Sequence, residues 1–154
     1  PMNFARLNQN ILANALSDQI TAYPIGLGET PSLTTFPLSV LQSGGALHGP
    51  RMVEDGKAAH IVGLNIWTLD AFRAQALQFP CPTHLKIDVD GPELEILRGA
   101  EATLHEPSLR HLLIELTGEE LDEAVGIFSA AGFSQITQGQ TQDGMFNMIF
   151  DKQS

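Results

Sequence analysis

Apolar residues recur at two periods along the chain, and the switches between those periods lay out most of its elements. Phe4, Leu7, Ile11, Leu12 and Ala15 share one helical face, with Asn8, Gln9 and Asn10 on the other, so the spacing predicts a helix over 3–15. Ser17 and Asp18 break it. The apolar stretch 20–25 reads as a strand, closed by Gly26, Gly28 and Pro31. From 31 to 57 the chain is rich in Gly, Pro and Ser; short strands are predicted within 33–40, and Ser43-Gly44-Gly45 and Asp55-Gly56 are loop signals. Strand alternation resumes over 60–67. Thr68 is an N-cap for a helix reaching to about residue 76, with Asp70 in its first turn.

The second half is patterned more sharply. Residues 84–89 form a short apolar strand, Asp90-Gly91 turns, and Pro92 suits the first position of a helix whose start is favoured by Glu93 and Glu95. Leu94, Leu97, Glu101 and Leu104 share a mostly apolar face, which Gly99 interrupts. A strand over 109–116 follows. A helix over 119–131 then turns Leu121, Ala124, Val125 and Phe128 inward and is closed by Gly132. Strands over 133–137 and 145–150 complete the chain, with Asp143-Gly144 favouring a hairpin return. Strands alternating with helices predict an α/β fold with a mostly parallel sheet, ending in an antiparallel strand pair.

Composition narrows the function classes. The chain has 154 residues, 43% hydrophobic and 17% charged, the profile of a globular domain. No apolar run approaches the roughly 20 residues that span a bilayer. The net charge of −10, with only 8 Lys and Arg, argues against nucleic acid and anionic membranes as partners. Cys81 is the single cysteine, so no disulfide forms within the chain, and a reducing, cytoplasmic setting is predicted. Between Pro80 and Pro82 it reads as a small apolar filler before a nucleophile. His48, His60, His84, His105 and His111 show no metal-ligand spacing, which leaves zinc unsupported.

Chemistry concentrates at the ends of two strands. In an open parallel sheet, ligands bind beyond the carboxyl ends of the strands. Asp88 and Asp90 stand at one such end, and Glu115 near the next. Three carboxylates facing one cleft suit a general base, a divalent metal or a cofactor amine. Each also has a plainer reading. Asp90 would cap the following helix, Asp88 would pair with Lys86 two residues away on the same side, and Glu115 would need a partner inside Leu113-Ile114-Glu115-Leu116.

The block Leu85-Lys86-Ile87-Asp88-Val89-Asp90-Gly91, followed by Glu93-Leu94, Leu97, Gly99 and Ala100, resembles the signature of the FkbM family of methyltransferases. Asn3-Phe4 with Leu7, Asn10-Ile11 and Asn14, then Ser43-Gly44, Thr68-Leu69-Asp70 and Ile114-Glu115, resemble further family segments in the same order. Two positions depart from the pattern: Asp90 replaces the usual Glu, and Pro92 a common Ala. The family's glycine-rich loop and ribose-binding acid have no counterpart, and no GxGxG occurs anywhere.

The resemblance implies a partial Rossmann-like class I methyltransferase fold, with 1–154 as one domain, the C-terminal portion of a methyltransferase domain. It implies O-methyl transfer from S-adenosylmethionine to a hydroxyl of a small molecule, sugar or lipid. Asp88 would be the base, Asp90 and Glu115 would support it, a divalent metal could assist, and Gly26, Leu27 and Gly28 would line the cofactor site. Lacking the glycine loop, the chain is expected to bind S-adenosylmethionine weakly or not at all, to be an incomplete and inactive fragment, and to associate with itself through unpaired strand edges. Two other readings stand beside this one: a folded, non-catalytic fragment or interaction module, and a phosphatase of the haloacid dehalogenase type, whose DxDG motif Asp88-Val89-Asp90-Gly91 also resembles.

Overall fold

The computed structural model describes residues 1–38, 60–89, 91–141 and 144–152. Asp90, Asp143 and the Ser43-Gly44-Gly45 and Asp55-Gly56 loops predicted above lie outside the described residues. The chain divides into two compact units, Pro1–Gly26 with Ser32–Ile66 and Leu27–Pro31 with Trp67–Ser154.

The first unit opens with α1 (Met2–Ala13), which ends at Asn14, whose side-chain amide donates back to the Asn10 carbonyl at 2.8 Å. The strand predicted over 20–25 does not form. Ile20 N–H is still committed to a turn, donating to Leu16 O at 2.9 Å, and Pro24 has no N–H to give a ladder. Pairing begins only at β1 (Gly26–Leu27). β2 (Ser32–Leu38) runs antiparallel to β3 (His60–Trp67), from Ser32 opposite Ile66 to Leu38 opposite His60, and the sheet order is β1-β3-β2. Gly26 sits where a Cβ would come within 2.5 Å of Ile66 Cδ1, so a side chain there would displace the isoleucine.

The second unit contains α2 (Leu69–Gln75), β4 (His84–Ile87), α3 (Glu93–Arg98), α4 (Glu101–His105), β5 (His111–Leu116), α5 (Leu121–Ala130), β6 (Phe133–Gln140) and β7 (Phe146–Lys152). Thr68 caps α2, its hydroxyl accepting from Ala71 N–H at 2.9 Å. Pro92 stands just before α3 with φ −91°, one position earlier than the first-turn site predicted for it. Gly99 separates α3 from α4. A Cβ there would lie 2.1 Å from the Gly28 carbonyl oxygen, so only glycine lets these two backbone segments meet.

The sheet order is β4-β5-β7-β6. β4 and β5 are parallel, but β5–β7 and β6–β7 are antiparallel, as is β2–β3. The mostly parallel, Rossmann-like sheet expected from the element order is therefore not what forms: the chain is an α/β fold with mixed, mostly antiparallel sheets. In the β4-β5-β7-β6 sheet the cause is one connection. The α5 crossover sets β6 at the sheet edge, and β7 returns between β5 and β6, so a single reversal creates two antiparallel ladders.

One face of this sheet holds the core. Leu112, Ile114 and Leu116 of β5 and Met148 and Phe150 of β7 pack with Ile96 and Leu97 of α3, Leu104 of α4 and Phe128 of α5. The Phe128 ring lies 4.4 Å from that of Phe150. Gly132, with φ +83°, ends α5 as predicted. Among the described residues, no helix is long and apolar enough to cross a membrane.

Candidate functional site

β4 and β5 end side by side. Their registered pairs run from His84 with His111 to Ile87 with Ile114, and Asp88 and Glu115 are the next residues on each strand. Strand alternation turns the buried Ile87 and Ile114 to the core and Asp88 and Glu115 to the opposite face. Asp88 is 48% exposed, and its carboxylate accepts from Lys86 Nζ at 2.7 Å, the same-side ion pair that the two-residue spacing allows. Glu115 is half-buried. Its Oε1 accepts from Asn147 Nδ2 at 3.0 Å, and Asn147 is its register partner on β7. The acid inside an apolar strand thus finds its partner across the ladder, not in the cleft.

A pocket of about 310 Å³ lies along the end of β4, lined by Leu27, Leu69, Leu85, Lys86, Ile87, Asp88, Val89 and Ile96. It is apolar apart from the Lys86–Asp88 pair at its rim. Of the predicted site residues, the structure brings Asp88 and Leu27 to it. Glu115, Gly26 and Gly28 are not part of its lining. The Gly28 N–H is already used, donating to Trp67 O at 2.9 Å, and its carbonyl is pressed against Gly99. A larger groove of about 380 Å³ runs past Leu97, Arg98 and Ile127 on the helical side and holds none of these candidates. Among the described residues, no three His, Cys, Asp or Glu side chains gather as a metal site would require.

Sequence reasoning passed over one residue beside this site. Glu93, read only as a helix-start acid, is 1% exposed, the one charged side chain among the described buried residues. Its Oε2 accepts from Gly91 N–H at 3.1 Å, and its Oε1 is buried without a hydrogen-bond partner. Burial raises its carboxyl above the usual glutamate range and the nearby Glu120 adds to the shift, while the backbone N–H groups of Glu93, Gly91 and Val89 oppose it. A signal was present in the sequence: Glu93 stands at helical spacing with the buried Ile96, Leu97, Ala100 and Leu104, on the stripe that faces the core.

Residues 1–135 match the family described as the Methyltransferase FkbM domain. No curated protein matches the chain. Among solved structures, the crystal structure of methyltransferase FkbM from Methylobacillus flagellatus KT is similar in fold, with a TM-score of 0.59 and 17% sequence identity. The match covers 96% of this chain and 32% of that one, so the chain spans about a third of the length of the solved relative.

Proposed function

The chain belongs to the methyltransferase FkbM domain family, and from that premise we propose that it serves methyl transfer from S-adenosylmethionine to a hydroxyl of a small molecule, sugar or lipid. The observation that carries this reading is Asp88: an exposed carboxylate at the carboxyl end of β4, on the rim of an apolar pocket, inside the block that bears the family resemblance. S-adenosylmethionine, when bound, supplies a methyl group on a sulfonium, already activated for displacement. The protein then has to orient the acceptor and take its proton. In this reading Asp88 would accept that proton, with Lys86 holding its orientation. Asp90 and Glu115 would support it, Glu115 through the end of the sheet and not from within the pocket. A divalent metal would find too few ligands beside Asp88 among the described residues, so no step is assigned to one.

The residues present fit the cofactor only in part. Leu27, Leu69, Ile87 and Ile96 offer an apolar wall for an adenine face. The Gly28 N–H is consumed by Trp67 O, so Gly28 offers no free donor. Weak or no binding of S-adenosylmethionine by residues 1–154 follows from this. We extend the proposal to a cytoplasmic setting, in keeping with the lone Cys81, and to self-association, because β4 pairs only with β5 among the described residues.

The test is calorimetric titration of S-adenosylmethionine into this chain and into a chain carrying whatever its gene encodes before Pro1. Tritiated methyl transfer to a panel of hydroxylated acceptors would be measured alongside. Tight binding by residues 1–154 alone would overturn the weak-binding expectation. Binding without methyl transfer to any hydroxyl by the longer chain would overturn the proposed reaction.

A further inference from the structure

A buried carboxyl group holds the turn that follows β4. Glu93 begins α3, immediately after that turn, and its side chain folds inward to 1% exposure. Gly91 sits in the turn with φ +129°, a backbone conformation that side chains rarely adopt. Its N–H has two acceptors, the Val89 carbonyl at 3.1 Å and Glu93 Oε2 at 3.1 Å. The carboxyl therefore holds the turn from the core side, through a part-buried hydrogen bond to an exposed glycine.

We propose that Glu93 is the positioning residue of this site: its buried carboxyl clamps the Gly91 amide and so fixes where the Asp88–Val89 segment after β4 points. An exposed acid near a helix start would satisfy the orphan N–H groups equally well and at less cost. A carboxyl sealed in the core with Oε1 unpaired carries a desolvation penalty that a plain cap avoids. What the buried position gives is geometry. The clamp is part-buried and anchored to a helix whose Ile96 and Leu97 are locked in the core. The raised protonation of Glu93 fits this placement, since burial is its largest cause.

The link from clamp to methyl transfer rests on the function proposed above; the clamp itself does not. Its test is nuclear magnetic resonance on the whole chain with Glu93→Leu, which fills the same space without the carboxyl. Replacing a buried charge with a well-packed apolar side chain is often neutral or stabilising. The thermal midpoint should therefore hold or rise. Meanwhile, Gly91 amide exchange should quicken about tenfold or more, the factor expected when one part-buried hydrogen bond is lost locally. Glu93→Asp, one methylene shorter, should leave Gly91 partly protected.

A second measurement needs no variant. In the unaltered protein the Gly91 amide proton shift should titrate together with the Glu93 carboxyl carbon, at a midpoint above the ordinary glutamate range. The carboxyls of Asp88, Asp90 and Glu120 are followed through their own carbon signals. An unchanged Gly91 amide in Glu93→Leu would overturn the clamp. So would a Gly91 shift that ignores the Glu93 titration, or an exchange rate that rises equally across β5 and β7, which would make Glu93 ordinary core. A clamp that passes these tests in a chain without methyltransferase activity would remove the proposed reaction and leave the clamp standing.

Discussion

The two units of the chain are built from similar strand sequences and reach different degrees of burial. In the second, β5 alternates cleanly, Leu112, Ile114 and Leu116 being at most 1% exposed, and helices α3, α4 and α5 seal that face. In the first, β3 alternates just as regularly, yet Val62, Leu64 and Ile66 are only half-buried, and Ile11 is the one buried apolar residue among those described. Leu33 and Ile61 are 87% and 62% exposed. Alternation specifies a strand and its register, whereas burial requires something to cover the face. The second unit carries its own cover in sequence, because each of β4 and β5 is followed by amphipathic helix.

The largest effect that would sharpen this contrast lies in the aromatic centre of the second unit. Phe128 is fully buried, between Phe150 at 4.4 Å and Phe133 at 6.3 Å. Phe128→Ala should cost about 3–5 kcal/mol in urea unfolding, the transfer term plus a cavity that rigid neighbours cannot close. Leu33→Ala in the first unit should change stability by less than about 0.5 kcal/mol, because that side chain has almost nothing to lose. Comparable losses at the two positions would erase the distinction between the units.

A step smaller is Asp70, which ties α2 to α4. Its carboxylate accepts from the backbone N–H groups of Ala102 and Thr103, each at 2.8 Å, and from the Thr103 hydroxyl at 2.5 Å. Asp70→Ala removes all three acceptor contacts and strands the amides at the start of α4, where Ala100 offers no side-chain cap. A loss of about 2–3 kcal/mol is expected, from hydrogen bonds to a charged group. Asp70→Asn, which keeps one acceptor oxygen, should recover part of it.

Glu93 gives the second unit a dependence on pH of definite sign. Its folded-state carboxyl is raised above the unfolded value by burial, so the folded chain holds that proton more tightly. The stability this confers is fully present below the ordinary glutamate range and is lost as pH climbs through the raised value. Glu93→Gln lacks that dependence. The unaltered chain should therefore lose stability relative to Glu93→Gln as pH rises from the ordinary glutamate range through the raised value. Urea midpoints at several pH values read this directly, and a gap that stays flat with pH would mean that the carboxyl is solvated.

Local chemistry made many elements legible in the sequence. The β3 span was set by period-two alternation, the start of α2 by Thr68, and the end of α5 by Gly132. Misreadings arose where a non-local choice decided the outcome. Nothing near β7 says that it pairs with both β5 and β6, so the sheet's mostly antiparallel character was hidden. The segment 20–25 is apolar enough for a strand, but the Ile20 N–H is spent on the turn after Leu16 and Pro24 has none to give. At the strand end, the Lys86–Asp88 pair is legible from the two-residue spacing. Glu115's partner Asn147 lies 32 residues away and was not foreseeable. Glu93 stands in the first turn of α3 as read, and only the apolar stripe around it signals that it is also buried.

The smallest expected change in stability falls on the residue with the most at stake in function. Asp88 and Lys86 are 48% and 62% exposed, and although their 2.7 Å contact is short, water screens it on every open side. Exposed pairs of this kind contribute about 0–1 kcal/mol, and added salt erodes the rest. Asp88→Asn preserves the shape of the side chain, and Ile87 beside it stays in the core, so the unfolding midpoint should move by less than about 1 kcal/mol. Methyl transfer, under the proposed reaction, depends on the charge that asparagine lacks: turnover should fall while affinity for S-adenosylmethionine is largely kept, in a chain long enough to bind it. Lys86→Met, which frees Asp88 without removing it, should also leave stability nearly unchanged but should lower turnover far less. The two variants separate a base from a surface charge. If both leave turnover untouched, Asp88 is a solvated strand-end acid and the chemistry lies elsewhere. If Asp88→Asn abolishes cofactor binding instead, the carboxylate holds the cofactor and a different group takes the proton.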